Sequence, residues 1–384
     1  MSTMVSTLEE FIQLLTDTID ALTSHSFTAK DQSKYLSERK EELQADSAIV
    51  ILDFAENYEY TIQHEVQSYH WSKERCTLHP VSIYVKEGDE VTTKSLCIMS
   101  DDLEHDTCFV HEVMRVITDY LKLNHPNVKS VQYFSDGCAG QYKNYENFMN
   151  LCLHEQELGM PATWSFFATS HGKGPCDGIG GTVKRLARHD SLRREKDFLN
   201  TFEKLYKYCE DEIKGVEFFR ISADQMDQRR PVINKRFEGG STVSGTQSYH
   251  HFVPVDPDTI AFKRLSKDVD FCGKRKFSSI TPLMNNKIGD YVSVAYDREW
   301  YIGAVEHFDA VNNEYKINFM HPKMNHKSLY WPPRQDKCLC PASDVLTTVD
   351  VPTFTSPRAR TYKLKDEEFK EIEQKFINYI HTLS

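Results

Sequence analysis

Two short apolar runs, each closing on an aspartate, constrain this chain more than any other feature. Ala48-Ile49-Val50-Ile51-Leu52 leads into Asp53, and Val128 to Phe134 leads into Ser135-Asp136. Continuous apolar runs of this length suit strands buried on both faces, as in a sheet covered by helices on each side. Thr77 to Val85 and Ser95 to Met99 read as two further strands, joined by a turn around Gly88-Asp89. His111 to Leu123 carries Val113, Val116, Ile117, Tyr120 and Leu121 at helical spacing and is stopped by Asn124-His125-Pro126. Asn144 to Leu158 is a second helix, stopped at Gly159-Met160-Pro161, and Thr163 to Thr169 is a fifth strand. Asp177 then opens a helix to about Arg188, and Leu192 to Ile213 continues helical. This element order fits an α/β fold, a mixed five-stranded sheet of order 3-2-1-4-5 flanked by helices. Strands 1 and 4 are then parallel neighbours, and their acid-bearing ends meet where the strand order reverses, the usual place for a ligand crevice.

The remaining sequence divides around that core. Residues 1–46 read as a helical N-terminal extension, with Leu8, Phe11, Leu14, Leu15, Ile19 and Leu22 at helical spacing and a more polar segment after Ser26. The stretch is acidic, which suits a lead-in or an oligomer contact better than a DNA-reading arm. Residues 47–238 form the core, and 239–286 read as a linker, rich in Gly, Ser and Thr at its start, followed by a basic segment. Short alternating strands over 287–348 suggest a small all-β SH3- or Tudor-like barrel, and 349–384 form a C-terminal extension with a charged helix. Tyr291, Tyr296, Trp300, Tyr301, Tyr330 and Trp331 offer either an aromatic cage for a methylated lysine or ordinary barrel packing.

Composition narrows the class. The net charge is -11, which counts against a protein that coats nucleic acid non-specifically, because such binding runs on Lys and Arg neutralising phosphates. It leaves room for a nucleic-acid enzyme with local basic patches. One patch is Lys184, Arg185, Arg188, Arg193, Arg194 and Lys196; another is Lys263, Arg264, Lys267, Lys274, Arg275 and Lys276. No apolar run approaches the roughly 18 residues of a membrane span, and no secretion signal opens the chain. Ten dispersed cysteines fit reduced thiols in the cytoplasm or nucleus rather than a disulfide scaffold.

Two carboxylates on the ends of adjacent buried strands repel one another and raise each other's pKa. A divalent cation relieves this, because Mg²⁺ or Mn²⁺ takes carboxylate oxygens. A pair of such ions about 4 Å apart promotes phosphodiester displacement by assisting both the attacking and the leaving oxygen. Asp177 stands where a third acid would complete the set, with Asp53, Asp136 and Asp177 as both catalytic and metal residues. Gly178, Gly180 and Gly181 follow it; they are poor helix formers, so they point to close approach of a substrate or a neighbouring strand. Gln141, Lys143 and Asn144 after Asp136, His171 and Lys173 before Asp177, and Lys184 and Arg185 beyond it are candidate contacts to a nucleic-acid backbone. A polar helix cap is the plainer role for the first three. Glu56 reads as a polar surface residue, too far along the strand to share the site. Cys138, Cys152, His154, His171 and Cys176 lack the tight pair expected of a zinc site.

The stretches LDFAENYEYTIQHEVQSYHW (52–71), FSDGCAGQYKN (134–144) and FFATSHGKGPCDGIGGTVKR (166–185) resemble a family of invertebrate transposon-encoded proteins of the DDE transposase kind. GDYVSVAYDREWYIGAVEHF (289–308), FMHP (319–322) and YWPP (330–333) resemble the small barrel that accompanies it, so the resemblance spans about 48–346. It implies a ribonuclease-H-like core, two Mg²⁺ or Mn²⁺ ions on the three motif acids, and cleavage or joining of DNA at transposon ends or target sites. Action as a homo-oligomer, a nuclear location and a chromatin contact through the barrel follow as further expectations. Such transposases carry a DNA-binding module ahead of the core, often zinc-dependent. The roughly 45 residues ahead of the first strand hold no Cys/His ligand pattern, which reads as a truncated or domesticated copy. The competing reading is therefore a catalytically inactive, domesticated protein that binds chromatin or nucleic acid.

Overall fold

A computed structural model describes residues 7–61, 74–168, 174–193, 198–238, 240–277, 288–296, 299–309, 314–323, 328–356 and 360–383. The chain divides into two compact units, one of Met1–Met226 with Phe237–Ile280 and the other of Asp227–Arg236 with Thr281–Ser384.

The first unit opens with α1 (Leu8–Glu41), begun by a reciprocal Thr7/Glu10 capping box. Then follow β1 (Ser47–Leu52), β2 (Tyr58–Glu59), β3 (Arg75–Glu87), β4 (Glu90–Ser100), α2 (Thr107–Asn124), β5 (Ser130–Ser135), α3 (Tyr145–Leu158) and β6 (Ala162–Phe166). After these come α4 (Pro175–Arg193), α5 (Phe202–Glu212), β7 (Glu217–Arg220), then α6 (Ala223–Phe237), of which Asp227–Arg236 belong to the second unit, and β8 (His251–Asp256), β9 (Thr259–Lys263) and β10 (Gly273–Lys276). The strands join into one mixed ten-stranded sheet of order β10-β9-β8-β6-β5-β1-β3-β4-β7, with β2 paired to β3 off this path. β1 pairs antiparallel with β3 and parallel with β5, and β5 pairs parallel with β6.

The local causes are visible in the sequence. Gly88 takes a left-handed φ of 64° in the β3–β4 turn, and Gly159, at φ 69°, ends α3 with its amide on the Glu155 carbonyl. All of Ala48 to Leu52 is buried, as expected of a strand covered on both faces. Ile49 and Ile51, two residues apart and so on one face, pack with Leu43, Phe134 and Cys176, beside Tyr35 and Leu36 of α1. Ile179, Val183 and Ala187 recur every four residues along α4 and join Cys76 and Leu78 of β3 and Cys97 and Met99 of β4 in another cluster. At 25 cal/mol per Å² each fully buried Ile or Val of these clusters contributes about 1.5–3 kcal/mol against exposure.

Three expectations need correction. Residues 239–286 are not a linker throughout: His251–Asp256, Thr259–Lys263 and Gly273–Lys276 extend the main sheet past β6, with β8 antiparallel to it. The sheet also gains β7 on its far edge, parallel to β4. The N-terminal stretch is one helix rather than two segments, since nothing near Ser26 breaks it.

The second unit contains β11 (Tyr291–Tyr296), β12 (Glu299–Asp309), β13 (Glu314–Phe319), β14 (His321–Lys323), β15 (Ser328–Tyr330), β16 (Asp336–Pro341), β17 (Val345–Val349), β18 (Thr353–Phe354), β19 (Tyr362–Lys363) and α7 (Asp366–Leu383). They form one antiparallel sheet of order β16-β13-β12-β11-β17 and a smaller one of order β14-β15-β19-β18. Trp300 is buried and donates its indole N–H to Glu373 at 2.9 Å, so it belongs to the core and not to an open cage. Tyr296 is exposed, and Tyr291 and Trp331 pack with ring centroids 6.2 Å apart. Among the described residues no helix is long and apolar enough to cross a membrane.

Candidate functional site

The β1–β5 register fixes two of the acids. Ser47 pairs with Ser130 and Ile51 with Phe134, so Asp53 and Asp136 each lie two residues beyond the last paired position and face each other across neighbouring parallel strands. Adjacent strands are about 4.8 Å apart, which brings the two carboxylates into each other's field. Asp53 stays anchored after β1 ends: its amide donates to the Pro80 carbonyl at 3.3 Å and that of Ala55 to Leu78 at 3.0 Å.

Asp177 arrives from the first turn of α4. Gly180, one turn on, lets the helix close on the sheet, since a Cβ there would lie 3.2 Å from both Ala55 Cβ and Pro80 Cγ. A Cβ at Gly178 or Gly181 would meet nothing within 4 Å, so those two need no such packing. Asp53, Asp177, Glu56 and Lys184 line one cleft of about 340 Å³, walled by Phe54, Ala55, Pro80, Cys176, Gly180 and Gly181. Glu56 thus lies nearer the acids than a continuing strand would put it, because β1 stops at Leu52.

Electrostatics bind the three acids together. Burial, then the Asp136 carboxylate, then that of Asp177, push Asp53 up to about 7, and burial also raises Asp136. Each of the other two carboxylates also caps its own turn: Asp136 Oδ1 accepts from the Cys138 amide at 3.1 Å, and Asp177 Oδ2 from Gly174 at 3.3 Å. Among the described residues no three His, Cys, Asp or Glu side chains already stand as a metal-binding group. The donor set nevertheless suits a hard divalent cation, since Asp53 is held from ionising by burial and then by the negative neighbours Asp136 and Asp177, whose charge such an ion would neutralise.

The other candidates fall into different places. Asn144 is the N-cap of α3: its Oδ1 accepts from the Asn147 amide at 2.8 Å, and its Nδ2 donates to Thr107 and Ala139 at 2.8 Å. Gln141 is half-buried, and its carbonyl accepts from the Thr107 hydroxyl. Lys143 departs from the expected backbone contact. It is buried, its ammonium donates to the Gln247 carbonyl at 3.1 Å, and burial lowers its pKa to about 8. Lys184 is at the cleft and Arg185 is exposed one residue on, while His171 and Lys173 lie outside the described residues. His154 bonds to Tyr133 and the Met160 carbonyl, and the Cys176 thiol to the Ile51 carbonyl, so neither reaches toward a shared zinc.

Sequence reading passed over the residues behind Asp53. Phe54 stacks on His105 with centroids 4.2 Å apart and meets His79 edge-on at 4.4 Å. His79 Nε2 and the Tyr142 hydroxyl are 2.9 Å apart. Burial holds His79 neutral, down to about 3, and keeps the Tyr142 phenol protonated, with the Asp53 and Asp136 charges adding to it. Tyr142 stands inside the FSDGCAGQYKN stretch, between Gln141 and Lys143, and its aromatic character beside two polar neighbours was the available signal.

With the geometry established, comparison with known proteins adds a family. The family described as Domain of unknown function (DUF8701) matches residues 32–266. The chain belongs to that family. The DUF8701 region takes in all three acids and runs past the end of β9, in keeping with β8 and β9 belonging to the main sheet. No curated protein matches the chain. Among solved structures, a human cytomegalovirus terminase nuclease domain, Mn soaked and inhibitor bound, is 9% identical, with 55% of this chain and 80% of that chain covered and a TM-score of 0.22. A crystal structure of NurA is 9% identical, with 69% and 52% covered and a TM-score of 0.16. Likenesses this distant carry no weight for function.

Proposed function

We propose that the first unit is a ribonuclease-H-like core of the DDE transposase kind, which cleaves or joins DNA phosphodiesters with divalent metal. The observation that carries this reading is the β1–β5 register, which sets Asp53 opposite Asp136, with Asp177 near enough to raise the Asp53 pKa. Asp53, Asp136 and Asp177 would hold Mg²⁺ or Mn²⁺, which when bound supplies charge for displacement at phosphorus. The chain's own residues do the rest. With a pKa of about 7, Asp53 is about half protonated at neutral pH, and a bound cation would favour its carboxylate, so occupancy and deprotonation would be coupled. Lys184 offers a phosphate-seeking charge on the cleft wall, and Arg185 follows it on the exposed side of α4. Phe54, clasped by His79 and His105, fixes the backbone that presents Asp53. The five-stranded sheet of the second unit is read as a small SH3- or Tudor-like barrel able to contact chromatin, and the nucleus is the location the transposase resemblance favours over the cytoplasm.

The test is Mg²⁺- or Mn²⁺-dependent nicking of supercoiled and branched DNA. Asp136→Asn should lower the cutting rate at least about 100-fold, the scale of losing one electrostatic partner at a reacting centre. Equal cutting by both proteins would place the activity elsewhere. No cutting, with no Mn²⁺ heat in calorimetry, would leave a domesticated binding module.

A further inference from the structure

Among the described residues, one face of the first half of α1 is left exposed. Leu8, Ile12, Leu15, Ile19 and Leu22 are between 46 and 69% exposed, as are Phe11 and Leu14 beside them. Their spacings alternate between four and three residues, the heptad seam of a coiled coil, with leucine at every d position and isoleucine at every a position. That assignment of side chains favours two parallel strands. The seam ends where the fold takes over. The next a and d positions are Ser26, Ala29 and Ser33, small or polar. At Asp31 and Gln32 the helix becomes buried, with Gln32 Nε2 on the Phe166 carbonyl at 2.9 Å and on the Ser266 hydroxyl at 2.8 Å. So α1 is rooted by its second half and overhangs with its first.

We propose that this overhang pairs with the same helix of a second copy of the chain, in a parallel two-stranded coiled coil over residues 8–22. Charge placement selects this occupant. No Lys or Arg precedes Lys30, and of the acids Glu9, Glu10, Asp17 and Asp20 only Glu9 flanks the seam, at position e. The other flanking positions are Phe11, Thr16, Thr18, Thr23 and His25, so two identical helices meet without like-charge opposition. A basic partner would find its complement on the wrong side of the helix, and an anionic lipid surface would find no cation. Five seam residues per copy, at roughly 100 Å² each, cover about 1,000 Å² in all, the lower edge of a stable interface. The dimer should therefore be reversible and concentration-dependent.

Sedimentation velocity of the full chain from about 1 to 100 µM should show a monomer–dimer equilibrium with a midpoint in the micromolar range. Ile12→Asp with Ile19→Asp should leave only monomer over that range, with unchanged circular dichroism and melting of the folded units, because both positions are exposed within a single copy. Leu15→Cys should form a disulfide between copies under mild oxidation at a rate above the unaltered chain, as a parallel d–d pair requires. Monomer at every concentration overturns the proposal. So does a dimer that survives the double substitution, or one in which residue 15 fails to cross-link.

Discussion

At the scale of single residues, Asp53 gives a pH dependence whose sign is fixed. Its folded pKa of about 7 lies above the ordinary value of 3.8. The stability it contributes is fully present below about pH 4 and is lost as pH rises through 7, because the folded state then gives up a proton it holds more tightly than the unfolded chain does. In chelator at pH 8, Asp53→Asn should melt a few degrees higher than the unaltered protein, at about 2–4 °C per kcal/mol. At pH 4 the two should melt together. Identical melting at pH 8 would mean that burial and the neighbouring Asp136 and Asp177 carboxylates do not together raise the Asp53 pKa. All three acids were legible in sequence because each ends or opens a clear element. Lys143 was not. Its charge reads as a phosphate contact, and only the packing around Phe166 and Gln247 shows that it is enclosed.

At the scale of elements, α4 turns on the difference between its glycines. Gly180→Val should cost about 1–3 kcal/mol in urea unfolding and reduce any metal-dependent cutting, because the added atoms press on Ala55 and Pro80 and displace the segment carrying Asp53. Gly181→Ala meets open space and should gain up to about 1 kcal/mol. Reversal of that order would remove close packing as the reason for Gly180. The strands β1, β3, β5 and β6 and the stops of α2 and α3 could be read from apolar runs and from Gly and Pro. The strands β8 to β10 could not, since they follow a Gly/Ser/Thr-rich stretch and β10 is Gly-Lys-Arg-Lys, a composition with no alternation to betray a strand. The unbroken α1 was hidden too, because its anchoring combines a buried polar residue, Gln32, with the partly buried Tyr35 and Leu36, which do not continue the apolar spacing of its first half.

At the scale of the molecule, two compact units imply two cooperative melts. Scanning calorimetry should resolve two transitions, and Mn²⁺ should raise only the one assigned to the unit that holds the acids. A single transition, with calorimetric and van't Hoff enthalpies equal, would refute independent melting.

The outermost strand of the main sheet carries a further consequence. β10 presents Lys274 and Lys276 as exposed cations at the sheet's open border, with Lys276 also reaching Asp258. An unpaired border is a template onto which any stray strand can crystallise, and a row of desolvation-averse ammonium groups is what deters it. The basic run that reads in sequence as a handle for nucleic acid would, from this position, disfavour edge-to-edge pairing of the sheet.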